Sequence, residues 1–365
     1  MNPLMARLKK ASKIAETSTL ADNEILGNIE CAPTHIPCID IAFCGTLDGG
    51  VTSGLTCIAG ASKCFKSLIS LLCAKAYLDK YDDAVMIFYD SEMGSSKEYF
   101  NSLGIDQERV LYTPITDVEQ LKFDVMSQLE QIKRGDHVII VIDSVGNLAS
   151  KKEVEDALNE KSAADMTRAK QLKSLTRMIT PHLNLKNIPM IVINHVYQEI
   201  GSMYPKTIVG GGTGLVYASN QIFIITRSQE KKGTDIIGYN FNINIEKSRL
   251  VREKSRIPLT VTFEGGINRW SGLLEMALAS GHVIKPSNGW YQKVNVETGE
   301  IYEKKYRASE TNTADFWKDI INDQTFKDWV KRTFRIANDK LIKDDLTTSE
   351  TDSSIAQFTV NDEEE

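Results

Sequence analysis

Lys66 and Ser67 are the first residues in this chain whose types and spacing could do chemistry. They close the stretch Gly60-Ala61-Ser62-Lys63-Cys64-Phe65-Lys66-Ser67. An apolar run, Leu55 to Ala59, precedes it and reads as a buried strand. An apolar-periodic run, Leu68 to Leu78, follows it and reads as a helix. Strand, glycine-opened loop, Lys-Ser and helix is the context of a phosphate-binding P-loop. Backbone N–H groups of the loop and first helical turn favour an anion there. Lys66 would reach β and γ phosphates, and the Ser67 hydroxyl would serve Mg2+. The second glycine of the usual pattern is Phe65, which weakens the match. Lys-Ser at an ordinary helix start is the competing reading.

Two further strand ends carry carboxylates. The run Val138 to Ile142 ends in Asp143, the Walker-B form, whose carboxylate would hold Mg2+ through water. A turn or helix cap is the alternative. The run Ala84 to Tyr89 ends in Asp90-Ser91-Glu92, and open α/β sheets keep their chemistry at such carboxyl ends. Asp90 and Glu92 point the same way along the pleat and compete for one catalytic role.

The elements that must position these groups read as a mostly parallel α/β fold. Buried-type strands are expected at Leu55–Ala59, Ala84–Tyr89, Leu111–Pro114, Val138–Ser144 and Ile188–Asn194. Helices are expected over 67–80, over 117–133 and from Ala163 to Thr180, the last stopped by Pro181. Residues 36–54 read as turn-rich, and Lys151 to Glu160 as charged and irregular. The segment Val196 to Gly214, rich in glycine, reads as a long connection of functional type. Gln221–Ile225, Tyr239–Ile245 and Leu259–Phe263 read as strands closing a mixed sheet. Beyond Ser271 a smaller α/β module is expected to draw a core from Trp270, Trp290, Tyr291 and Trp317.

Composition narrows the class. Hydrophobic residues make up 42% and charged residues 25% of 365, as in ordinary globular chains. No apolar run reaches the ~18 residues of a membrane span and no secretory signal opens the chain, so the cytoplasm is the expected compartment. All six cysteines lie at or before Cys73, without a Cys-x-x-Cys pair, and read as buried thiols. Eight acidic and no basic residues lie between Asp344 and Glu365, so the net charge of −6 becomes +2 for the rest. An acidic overall balance therefore does not exclude a nucleic-acid partner. The tail reads as disordered. Arg7, Lys9, Lys10 and Lys13 with Leu4, Met5, Leu8 and Ile14 form a basic amphipathic segment at the start.

These stretches, with Val141-Ile-Asp-Ser-Val-Gly-Asn-Leu148, Ile191-Val-Ile-Asn-His195, Gly210-Gly-Gly-Thr-Gly214, Glu246-Lys-Ser-Arg249 and Glu264-Gly-Gly-Ile-Asn268, spell a family. The chain resembles the RecA-type ATP-dependent DNA recombinases, and within them the T-even-type phage branch, over roughly residues 30–320. The resemblance implies a RecA-like P-loop ATPase core with a mixed, mostly parallel central sheet. It implies an N-terminal oligomerisation segment (1–30), the core (31–270), a C-terminal α/β module (271–338) and an acidic tail (339–365). Glu92 would orient or deprotonate the attacking water. His195 would sense the γ-phosphate, and Tyr99 would stack on adenine. Phe263 would contact the base held by a neighbour. Lys247 and Arg249 would reach a neighbour's γ-phosphate as arginine-finger equivalents. DNA would meet Lys151, Lys152 and Arg168 in one segment, and Ile200, Lys206, Gly210, Gly211 and Gly212 in another. The implied cofactors are ATP and Mg2+. The implied partners are single-stranded DNA, homologous duplex DNA, further copies in a helical filament, a single-strand-binding protein, a mediator and a helicase, in the host-cell cytoplasm.

Two other functions fit parts of the pattern. One is a hexameric helicase built on the same core, disfavoured by the module after residue 270. The other is an ATP-gated assembly protein without a DNA role, disfavoured by the glycine-rich and Lys-Lys segments.

Overall fold

A computed structural model of the chain describes residues 2–23, 25, 30–159, 166–199, 201, 203 and 205–336. Ile200, Lys161 and the acidic tail lie outside the described residues.

A nine-stranded sheet organises the molecule. In chain order its strands are β1 (Gly54–Gly60), β2 (Val85–Asp90), β3 (Val110–Pro114), β4 (Val138–Asp143), β5 (Pro189–Asn194), β6 (Gln221–Lys232), β7 (Asp235–Lys247), β8 (Arg256–Thr262) and β9 (Gly266–Ile267). Across the sheet they run β9-β8-β7-β6-β1-β5-β4-β2-β3. From β3 to β6 all pairings are parallel, and β7, β8 and β9 then add antiparallel. The P-loop strand β1 is the fifth of the nine and has a parallel neighbour on each side, β5 and β6.

The apolar runs follow from burial on both faces. In β4, Ile139 and Val141 enter one core, whereas Val138, Ile140 and Ile142 enter the other. That is the two-residue alternation of a strand covered on both sides. Helix α1 (Lys66–Lys80) covers one face. Helices α2 (Val118–Gln131) and α3 (Thr167–Lys186) cover the other.

Several elements differ from the sequence expectation. Within the turn-rich 36–54 region, Pro37–Cys44 is a helix with every residue buried. A helix buried all round, apolar but for Pro37 and Asp40, shows no periodic stripe, so its pattern is silent. Lys151–Leu158 is a helix, not irregular, opened by a capping box between Ser150 and Glu153. Helix α3 runs through Pro181 to Lys186 instead of stopping there. Proline removes the hydrogen bond to the carbonyl of exposed Arg177, and Leu183, fully buried beyond it, offsets that loss. Strands β6 and β7 form a hairpin far longer than the apolar runs, because its outer half is polar and exposed.

Beyond Ser271, Val283–Ser287, Trp290–Val294 and Ile301–Arg307 form an antiparallel three-stranded sheet. Helices Leu273–Ala279, Ala314–Asn322 and Gln324–Phe334 accompany it. Trp317 is buried and stacks near Trp270, with ring centroids 6.5 Å apart, in one core with the large sheet. Trp290 instead lies under the Arg307 guanidinium at 3.9 Å. Five of the six cysteines are buried, and Cys31 is half-buried. The N-terminal helix Pro3–Ala11 buries none of its residues. No described helix is long and apolar enough to cross a membrane.

Candidate nucleotide site and its link to the glycine-rich segment

Gly60 ends β1, and α1 begins at Lys66. A side chain at Gly60 would meet the Ile225 carbonyl at 2.7 Å, so the strand end admits only glycine. The loop between them turns through Ala61, Ser62, Lys63, Cys64 and Phe65. Lys66 is buried and donates from Nζ to the Ala61 carbonyl at 2.7 Å. Burial lowers its pKa below the usual lysine value. Its ammonium therefore sits desolvated inside the loop, ready to exchange one carbonyl for a stronger anionic partner.

Around this loop lies a cavity of about 480 Å3. Ser62 to Ser67 line it, with Glu92, Tyr99, Asp143, His195 and Phe263. Besides the loop, the ends of four strands, β2, β4, β5 and β8, and the helix Lys97–Ser102 thus bring the sequence-selected residues to one place. Ser67 Oγ donates to Asp143 Oδ2 at 2.6 Å. Burial pushes the Asp143 carboxyl up to about 6, against the Ser67 hydrogen bond, which lowers it. Among the described residues, no group of three or more His, Cys, Asp and Glu side chains gathers as a metal cluster. One hydroxyl beside one buried carboxylate instead fits a cation that takes its other ligands from water and substrate phosphates, as Mg2+ does.

Asp90 and Glu92 have separated. Asp90 is buried and accepts the N–H groups of Glu92 at 2.9 Å and Met93 at 2.7 Å, holding the turn that carries Glu92. Glu92 faces the cavity, where its Oε1 accepts from Asn147 Nδ2 at 2.8 Å and Ser144 Oγ at 3.1 Å.

His195 stands 3.8 Å from Glu92 Oε1 and bonds Asn147 Oδ1 through Nε2 at 3.2 Å. Burial lowers its pKa below the usual histidine value, so the ring is neutral at pH 7. The ring lies against Gly146, where a Cβ would come within 2.3 Å of its Cδ2. The backbone carries the contact onward. The His195 carbonyl accepts the Gly210 N–H at 2.9 Å, and Asn194 Nδ2 donates to the Gly210 carbonyl at 2.7 Å. Between these points the chain forms a small hairpin, Val196–Gln198 with Thr207–Val209. Lys206 is exposed at its returning strand. Gly211 and Gly212 have positive φ and lead into the helix Thr213–Ala218.

The other selected residues fall elsewhere. Lys151 and Lys152 are exposed at the first turn of helix 151–158. Arg168 turns its guanidinium inward to the carbonyls of Leu148, Val145 and Gly146, holding the loop behind His195. Lys247 and Arg249 do not line the cavity. Lys247 pairs with Ile222 near the start of β6, away from the loop end, and caps the helix Thr213–Ala218 through the Val216 and Tyr217 carbonyls. Phe263 lines the cavity of its own chain.

Sequence reasoning missed Arg227, Tyr239, Asn147 and Gly146. Arg227 and Tyr239 also line the cavity. Arg227 is two residues past Ile225, where an apolar strand beside β1 turns polar, and that position is a signal the sequence did contain.

A doubly covered parallel sheet with a P-loop, a Walker-B carboxylate and a strand-end glutamate defines a P-loop nucleotide-binding core. The chain belongs to the RecA family: the model of the RecA N-terminal domain matches residues 5–268. Residues 270–330 match the C-terminal domain of the bacteriophage T4 recombination and repair protein. The chain is 48% identical over 340 residues to the recombination and repair protein of Enterobacteria phage T4, covering 92% of this chain and 87% of that one. It is 28% identical over 275 residues to protein RecA of Streptomyces coelicolor, 74% and 71% of the two chains. It is 25% identical over 312 residues to protein RecA of Francisella philomiragia, 85% and 84% of the two.

Proposed function

We propose that this chain is a recombinase that polymerises on single-stranded DNA as a helical filament and pairs that strand with homologous duplex DNA. It acts as a DNA-dependent ATPase, with ATP at each subunit junction. The observation that carries this reading is the run of contacts from Glu92 through Asn147 to His195 and on to Gly210, which ties the cavity to the glycine-rich segment.

The chain's own groups divide the work. The amides of the Gly60–Ser67 loop receive phosphates, and Lys66 leaves the Ala61 carbonyl for phosphate oxygens. Tyr99 and Phe263 take the base between flat faces. Ser67 and Asp143 would hold Mg2+, Asp143 through water, and the ion would offset charge on the phosphates. Glu92, oriented by Asn147 and Ser144, positions the attacking water and accepts its proton. His195 reports the γ-phosphate to the hairpin. Lys151, Lys152, Lys206 and the amides of Gly210, Gly211 and Gly212 meet the DNA backbone, with Ile200 between bases. Arg168 serves the same face by fixing the 145–148 loop. Lys247 and Arg249 supply charge to a neighbour's phosphate. Residues 1–30 act in oligomerisation, 31–270 as the ATPase, 271–338 as an accessory module and 339–365 as an acidic tail. The setting is the cytoplasm of a phage-infected host, with a single-strand-binding protein, a mediator and a helicase as partners.

The test is ATP turnover with and without single-stranded DNA. Wild type is expected to be stimulated severalfold. Gly146→Ala drives a methyl into the His195 ring and is expected to leave basal turnover intact while losing most of that stimulation. No stimulation of wild type would leave an assembly ATPase without a DNA role. Equal stimulation of the variant would remove His195 from the link. Arg249→Ala, titrated into wild type, is expected to depress turnover more than dilution does, because each variant copy spoils a neighbour's site. A strictly additive mixture would argue for action within one chain.

A further inference from the structure

Phe65 occupies the second glycine position of the P-loop, and its backbone is left-handed, at φ 56 and ψ 26. Lys63, two residues earlier, is left-handed too, at φ 62. A side chain makes that region unfavourable, so something outside the loop must hold both residues there. The supports come from β6 and β7. The Phe65 ring packs on Phe241 at 4.8 Å between centroids, and Phe241 is fully buried. Tyr239 lies 6.2 Å from Phe241, and Phe263 meets the Tyr239 ring edge-on at 5.8 Å. The Arg227 guanidinium lies over Tyr239 at 4.8 Å and donates to the Lys63 carbonyl at 3.1 Å. One strained residue is therefore tied by a ring and the other by a hydrogen bond, to the same hairpin.

We propose that Phe65, Phe241, Tyr239 and Arg227 form a clamp that holds the P-loop in its anion-binding shape. Packing does here what conformational freedom does for glycine. The clamp shares Tyr239 and Arg227 with the cavity wall, next to Phe263, so the grip on phosphates depends on the wall that receives the base. These are positioning residues, and the inference rests on reading the cavity as an ATP site.

A rescue experiment on the full-length protein tests it. Phe241→Leu keeps an apolar side chain but removes the ring that supports Phe65. The KM for ATP is expected to rise about tenfold, the scale of one unsupported left-handed residue, with kcat within about twofold. Adding Phe65→Gly relaxes the backbone at that position. It is expected to return KM to within about threefold of wild type, although it deletes still more packing and the thermal midpoint stays low. Loss of core packing alone predicts the reverse, a double variant worse than the single one. An unchanged KM in Phe241→Leu, or a double variant no better than it, would overturn the clamp. Should Phe241→Leu not fold, exposed Arg227→Gln is read instead, with KM expected to rise about threefold. An unchanged value there overturns the clamp as well. Lys66→Ala run alongside separates the two ideas. Wild type without ATP turnover sinks the nucleotide reading, and the clamp is then read from binding of inorganic tripolyphosphate by the same variants.

Discussion

Lys66→Ala is expected to cut ATP turnover about a thousandfold and to end strand exchange, with the protein still folded. Charge that builds on the transferring phosphoryl group needs a desolvated cation fixed beside it, and Lys66 is buried at the loop that would hold the phosphates. Its present partner is one loop carbonyl, Ala61. The anchoring of α1 comes from Leu68, Ile69, Leu71 and Leu78, all buried, so the fold loses little. Turnover assays and a thermal melt on the same preparation check both halves. A variant that keeps DNA-stimulated turnover would refute the role, and one that fails to fold would make Lys66 structural.

Glu92→Gln is expected to lower kcat by about 10²–10⁴ while ATP still binds. The amide keeps one oxygen for Asn147 and Ser144 but cannot accept a proton from water. Asp90→Asn is the control. Asp90 accepts two backbone N–H groups on Oδ1 and the Tyr112 hydroxyl on Oδ2 at 3.3 Å; an amide oxygen keeps the first two bonds, and the amide nitrogen can only donate to the Tyr112 oxygen in place of the third. Its turnover is expected within about tenfold of wild type, with the loss showing as reduced stability. If the two variants exchange behaviour, the base is Asp90.

The parallel core was legible because a strand covered on both faces must be apolar at every position, as Val138 to Ile142 is. The loop at Gly60–Ser67 was legible because phosphate binding fixes residue types over a few adjacent positions. What stayed hidden has identifiable causes. Pro37–Cys44 lacks a polar face to mark it as a helix. The Ser150–Glu153 box sits in a run of charges with little apolar periodicity to mark a helix behind it. Gly146 and Asn147 matter only because another strand delivers His195 and Glu92 to them, and no local pattern encodes that meeting. Phe65 looked like a defect in the motif. Its support, Phe241, is 176 positions away, and only the sheet order brings the two rings together.

The most direct measurement is the affinity for a labelled single-stranded oligonucleotide, at one fixed salt concentration, with and without a non-hydrolysable ATP analogue. Because Gly210 hangs from His195 and Asn194, the nucleotide is expected to tighten DNA binding at least about tenfold. Saturating DNA must then tighten the analogue by the same factor. Equal DNA affinities in the two nucleotide states would contradict the link between cavity and glycine-rich segment.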